Sequence, residues 1–204
     1  VQGAERATAT GKGFTMSSGA ENLTFTIPVL TLPVVGSMSR FPVRRLYCVG
    51  RNYLEHIREF GNDEREPPFF FAKHRDCIVQ NGSDVRYPSL TKNYQHELEL
   101  VVAMKSGGEN IAKEDALKHV YGYAVGLDMT RRDLQMASRK KEQPWEIGKS
   151  FEQSAPCTAI TPAEKIGHPS KGKIQLHVNG ALRQDGDLAD RKSTRLNSSH
   201  VKRS

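Results

Sequence analysis

No stretch of the chain approaches the run of roughly 18 apolar residues that a membrane-spanning helix needs. The first twenty residues also lack the basic start, apolar middle and small-residue cleavage site of a secretory signal. A soluble, cytoplasmic protein with no membrane partner is the expectation. Cysteine is scarce too. Cys48, Cys77 and Cys157 are odd in number and widely spaced, which excludes a disulfide framework and a zinc-ligand pattern and leaves buried or incidental thiols. There is no internal repeat and no heptad run, so repeat arrays and coiled coils are excluded as well.

The basic surplus is local. With 30 Lys and Arg against 23 Asp and Glu, the net charge of +7 suggests a nucleic-acid or membrane-surface partner. Residues 191–204, RKSTRLNSSHVKRS, carry five of those cations (Arg191, Lys192, Arg195, Lys202, Arg203) and no acid. Without them 25 basic residues face 23 acidic ones, and the near-neutral remainder speaks against a nucleic-acid-binding protein. The tail lacks apolar periodicity, follows abruptly on a well-patterned hairpin and reads as foreign sequence. Residues 1–15 are small and polar and read as a non-native or disordered extension ahead of Met16. Residues 16–45 form a Pro-rich N-terminal arm. A hydrophobic content of 37% in 204 residues supports one domain, which the patterned elements place at 46–190.

Within that span LYCVG (46–50) reads as a strand closed by glycine. RNYLEHIREFG reads as a brief helix, with Asn52 as cap, Glu55 at N3, Tyr53, Ile57 and Phe60 on one stripe, and Gly61 as the stop. PPFFFAKHRDCIV joins an aromatic run to a strand. NIAKEDALKHV (110–120) predicts a surface helix, and TRRDLQMASRKKEQ a polar helix capped by Thr130. In YGYAVGLDMT (121–130), Gly122, Ala124, Gly126 and Asp128 share one face, a lane of small residues with room for a ligand or another backbone. Asn179-Gly180, between two alternating segments, is a two-residue hairpin signal.

Two motifs carry chemistry. In HELELVV the period of a strand puts Glu97 and Glu99 on one face, about 7 Å apart. Two such carboxylates repel and lose hydration if buried, so they need either solvent or a cation. A hard divalent metal is one such cation, and an all-oxygen set suits Mg²⁺, Mn²⁺ or Ca²⁺ rather than zinc. Asp128 is the natural third ligand. His56 and Glu59, three apart on the short helix, could make a carboxylate-oriented general base. A solvated acidic face and an ordinary surface ion pair are the alternative readings of these motifs.

Taken together, CVGRNYLEHIREFG, PPFFFAKHRDCIV, HELELVV, GYAVGLDMTRRDLQ, GKSFEQSAPC and VNGALRQDG closely resemble the fumarylacetoacetate hydrolase family, in its fumarylpyruvate and acylpyruvate hydrolase branch. The resemblance runs in order from residue 46 to about 190. It implies a mainly β fold with short helices, a mixed β-roll, and a catalytic domain that is dimeric in relatives. It further implies Mg²⁺ or Mn²⁺ on Glu97, Glu99 and Asp128, a water-activating dyad of His56 and Glu59, and Lys149 assisting at the reacting carbonyl. Arg51, Arg132 and Gln135 would hold the substrate. The implied reaction is hydrolysis of a carbon–carbon bond in a 1,3-diketo acid, fumarylpyruvate giving fumarate and pyruvate. An oxaloacetate decarboxylase, a non-catalytic metal-binding remnant and a basic nucleic-acid binder are the competing readings. Members of the family continue past the hairpin with further strands and a Gly/Thr-rich loop that contacts substrate, where this chain has residues 191–204. Such an incomplete roll would expose unpaired strand edges, so the chain as it stands is expected to fold poorly or to be inactive.

Overall fold

The central sheet is organised around the alternating segment that ends at Asp128. In the computed structural model, which describes residues 24–50 and 69–190, thirteen strands and a few short helices are found. The N-terminal strands are β1 (Thr31–Pro33), β2 (Arg40–Pro42), β3 (Leu46–Gly50), β4 (Phe69–Lys73) and β5 (Ile78–Gln80). The middle of the chain adds β6 (Tyr94–Gln95), β7 (Leu98–Met104), β8 (Val120–Leu127) and β9 (Thr130–Arg131). Two helices, α1 (Arg132–Lys140) and α2 (Glu146–Lys149), precede β10 (Ala155–Cys157), β11 (Thr161–Pro162), β12 (Lys173–Val178) and β13 (Ala181–Asp187). The expected mainly β architecture with short helices is therefore observed. Among the described residues no helix is long and apolar enough to cross a membrane.

Strand β8 is the hub. It pairs antiparallel with β7 along its length and with β10 and β11 on its other side, while β10 runs parallel to β5, which makes the sheet mixed. Pairing on both sides requires small residues where neighbouring backbones crowd in. A Cβ on Gly122 would lie 2.3 Å from the Thr161 carbonyl oxygen, and one on Gly126 would lie 2.8 Å from Val101 Cγ2. Of the two occupants the small-residue lane could accept, neighbouring chain is thus the one found along Gly122 and Gly126. Leu32 and Val43 of the N-terminal arm bury against Ala103, Ala124, Cys157 and Ile160, so the arm's described part belongs to the main core.

The hairpin β12–β13 turns at Asn179 (φ 52°) and Gly180 (φ 77°), the paired positive φ values of the two-residue turn that the sequence predicts. It supports β7 from the far side. Ile174 and Leu188 pack on Leu98, and the Gln184 side-chain amide accepts from Leu98 N–H (2.8 Å) and donates to Leu98 C=O (3.0 Å). The residue between the two glutamates is thereby fixed on both its apolar and its polar sides.

Two helical expectations are corrected. Residues 113–119 wind as 3₁₀ turns rather than an α-helix; none of them is buried, so no apolar stripe supports a longer helix. Helix α1 starts at Arg132 with no side-chain cap, because Thr130 is buried in β9 and its hydroxyl is engaged elsewhere. The short helix predicted between Arg51 and Gly61 lies outside the described residues.

The crowding at Gly122 carries a stability prediction. Because its nearest obstacle is backbone rather than a movable side chain, Gly122→Ala should cost about 1–3 kcal/mol in urea unfolding. A variant as stable as the parent would contradict the close approach of β8 and β11.

Candidate functional site

The antiparallel register answers the electrostatic question posed by the two glutamates. Leu98 pairs with Leu127 and Glu99 with Gly126, and the next step of the ladder brings Asp128 N–H to the Glu97 carbonyl at 2.8 Å. Glu97 and Asp128 therefore stand side by side where β7 begins and β8 ends, and like charges so placed are destabilising unless compensated. The compensation comes from Lys149. Its ammonium donates to Glu97 Oε2 (2.7 Å), Asp128 Oδ2 (2.8 Å) and Thr130 Oγ1 (2.7 Å), which uses all three of its protons. The lysine is 2% exposed, so this pairing takes place away from water.

Two further cations flank the pair. Arg132, from the first turn of α1, reaches Glu97 Oε1 through Nη2 (2.5 Å), Gln95 Oε1 through Nε (2.8 Å) and Gln135 Oε1 through Nη1 (2.5 Å). Lys73, the last residue of β4, lies 2.9 Å from Asp128 Oδ1. Its protons go to the carbonyls of Met129 (3.1 Å), Ser154 (3.0 Å) and Lys149, which clamps the backbone that carries the other lysine. Asp128 Oδ1 consequently has a cation beside it and no proton to accept.

Backbone packing sets the lysine's aim. Helix α2 lies so close to α1 that a Cβ on Gly148 would meet Gln135 N at 2.7 Å, and Lys149 N–H donates to Trp145 C=O at 2.9 Å. The Lys149 ammonium also sits 5.4 Å from the centre of the Phe71 ring. At the other end of the site, Asp133 ties α1 to the loop before β6. Its carboxyl is held below the usual carboxylate range, first by the Thr91 hydroxyl and then by the Lys92 N–H.

The structure thus brings together Glu97, Asp128, Lys149, Arg132 and Gln135 of the residues singled out from the sequence. Glu99 lies on β7, opposite Gly126, two residues after Glu97. Among the described residues, no group of three or more His, Cys, Asp and Glu is drawn around one point; the pair of Glu97 and Asp128 converges on an ammonium instead. The donor chemistry still suits a hard divalent ion, since two carboxylates already share one cation and Asp128 Oδ1 retains an unused acceptor. Arg51, His56 and Glu59 lie outside the described residues. Lys73 was missed in the sequence, where a lysine ending an aromatic strand gives no sign of burial.

The family model Fumarylacetoacetate (FAA) hydrolase C-terminal matches residues 45–194. Among curated proteins, human mitochondrial oxaloacetate tautomerase FAHD1 is 42% identical over 146 residues, 72% of this chain and 66% of that protein. Fumarylpyruvate hydrolase of a Ralstonia species is 41% identical over 123 residues, 60% of this chain and 64% of that protein. The chain therefore spans slightly less than two thirds of the length of these relatives. Among solved structures, fumarylpyruvate hydrolase from Pseudomonas aeruginosa in complex with Mn²⁺ and pyruvate superposes with a TM-score of 0.80 at 52% identity, covering 83% of this chain and 76% of that one.

Cys48 on β3, which scarcity and spacing left as a buried or incidental thiol, belongs to the same neighbourhood. Its thiol is pushed up to about 12, first by burial and then by Asp128 and Glu99, against the lowering pull of Lys73 and Lys149. Cys157, near the sheet centre, is pushed up to about 11 by burial. Both thiols stay protonated in the folded protein while an exposed one titrates near 9.0. The unfolded chain therefore releases these protons first, and stability falls as pH rises above 9. Urea unfolding between pH 8 and 11 should show this alkaline loss and a shallower slope for Cys48→Ala. Equal slopes would contradict the placement of Cys48 against the charged cluster.

Proposed function

The chain belongs to the fumarylacetoacetate hydrolase family, and we propose that it hydrolyses a carbon–carbon bond in a 1,3-diketo acid, with fumarylpyruvate as the preferred substrate. The observation that carries this reading is the buried convergence of Glu97 and Asp128 on one cation, flanked by Lys73 and Arg132. It is supported by 52% identity to a fumarylpyruvate hydrolase whose structure holds Mn²⁺ and pyruvate. The ligands we assign to Mg²⁺ or Mn²⁺ are Glu97, Asp128 and Glu99. A divalent ion in that position supplies Lewis acidity to a substrate carbonyl.

The chain's own residues divide the remaining work. Arg132, whose guanidinium is held by Gln95, Gln135 and Glu97, we assign to the carboxylate end of the substrate. Arg51 we assign to the same task. His56, oriented by Glu59, takes a proton from water as its oxygen adds to the distal carbonyl. The bond between that carbon and the central methylene then breaks, and its electron pair passes to the pyruvate portion as an enolate. We assign the buried ammonium of Lys149, once released from its carboxylate partners, to stabilise that negative charge. Protonation of the enolate carbon completes pyruvate, and the acyl portion leaves as fumarate.

A second reading rests on the 42% identity to human oxaloacetate tautomerase. Oxaloacetate tautomerisation would use the same cluster to stabilise a 2-oxo acid enolate, without breaking a carbon–carbon bond; oxaloacetate decarboxylation is a further variant of that chemistry. One comparison separates them. With Mn²⁺ present, fumarylpyruvate should lose its enol absorbance and give equimolar fumarate and pyruvate, and Asp128→Asn should slow this by about 10²–10³-fold. Interconversion of oxaloacetate tautomers with fumarylpyruvate left intact would overturn the hydrolase reading.

A further inference from the structure

We infer that Lys149 is an internal cation that competes with the divalent ion for Glu97 and Asp128, an inference that rests on the metal assignment made under Proposed function. The ammonium lies 2.7 and 2.8 Å from one oxygen of each carboxylate, so it fills the position from which a single ion would bind both. A hard divalent ion needs carboxylate oxygens at roughly 2.0–2.6 Å, closer than the ammonium holds them. Two cations sharing the same pair of oxygens inside a protein repel strongly, because the effective dielectric is far below that of water. An ion that bridges Glu97 Oε2 and Asp128 Oδ2 therefore requires Lys149 to leave them.

The lysine is built for holding that position. It spends all three protons there, it is 2% exposed, and its backbone is held at three points: its N–H by Trp145 C=O, its carbonyl by Lys73 Nζ and by Ser154 Oγ (3.1 Å). Among the described residues, Lys73, Lys149 and Arg132 already pair with Glu97 and Asp128 before any metal arrives. The lysine thus keeps the carboxylates together without metal and weakens the metal's hold on them. Once displaced, its ammonium becomes available for the substrate. Thr130 is the one anchor of the ammonium that carries no charge, and it tunes this competition.

Titration of the full 204-residue chain with MnCl₂ alone, following free Mn²⁺ by electron paramagnetic resonance, tests this without reference to turnover. Lys149→Met should bind Mn²⁺ at least ten-fold more tightly than the wild type, and Thr130→Val about three-fold more tightly. Equal or weaker binding by Lys149→Met would overturn the inference. Should Lys149→Met not fold without metal, Thr130→Val decides alone: tighter binding supports the competition and unchanged binding defeats it. Absence of Mn²⁺ binding in wild type and both variants would instead sink the metal assignment itself, as would a Glu97→Gln variant that binds as well as the wild type.

Discussion

A single buried ammonium lets this sheet keep two carboxylates together at the adjoining ends of two neighbouring strands. Glu97 and Asp128 are brought side by side by the β7–β8 register, and hydrogen bonding of the ladder alone would leave two like charges in contact. Lys149 resolves that conflict by donating to both, and Lys73 and Arg132 complete the balance on either side. Removing one partner from such a set leaves an uncompensated buried charge, which is far more costly than never having had the pair. The site is therefore also a structural junction, joining the end of β4, the β7–β8 ladder, α1 and α2.

Much of the rest of the fold serves to position that junction. Small residues on β8 admit β10 and β11 closely, so that the strand is held on both sides up to Asp128. The β12–β13 hairpin grips Leu98 through its side chain and through both of its backbone polar groups, which fixes the direction of the flanking glutamates. Gly148 allows α2 to sit against α1, and Lys73 anchors the carbonyl of Lys149. Each contact is ordinary on its own. Together they hold three cations and the carboxylates in a geometry with little freedom to rearrange without a competing ion.

What could be read from the residues follows from the range of the forces involved. The Asn179-Gly180 turn was visible because it depends on local backbone geometry. The alternation in 121–128 indicated a crowded face, but only the sheet order shows that neighbouring strands occupy it. Lys73 and Cys48 were invisible as site residues because their placement depends on β3 and β4 meeting a cluster more than fifty positions away. The 3₁₀ turns at 113–119 and the buried Thr130 were misjudged for a related reason: propensity and capping rules describe isolated segments, and tertiary contacts decided these two. Family resemblance named Lys149 as a group at the reacting carbonyl, whereas its pairing with both carboxylates is a feature of the folded arrangement.

The proposed chemistry and the stability of the sheet draw on one charge arrangement. A site whose Glu97 and Asp128 are already matched by buried cations can be assembled before the ion arrives, and in the proposed competition it then exchanges one cation for another. The most direct measurement is a double-mutant cycle in urea unfolding, without metal, using Lys149→Met, Asp128→Asn and the combination. The account predicts that the two single losses are strongly coupled, by about 2–3 kcal/mol, because each variant alone leaves an unmatched buried charge. Losses that add to within about 0.5 kcal/mol would contradict it, and would mean that the ammonium and the carboxylate do not depend on each other.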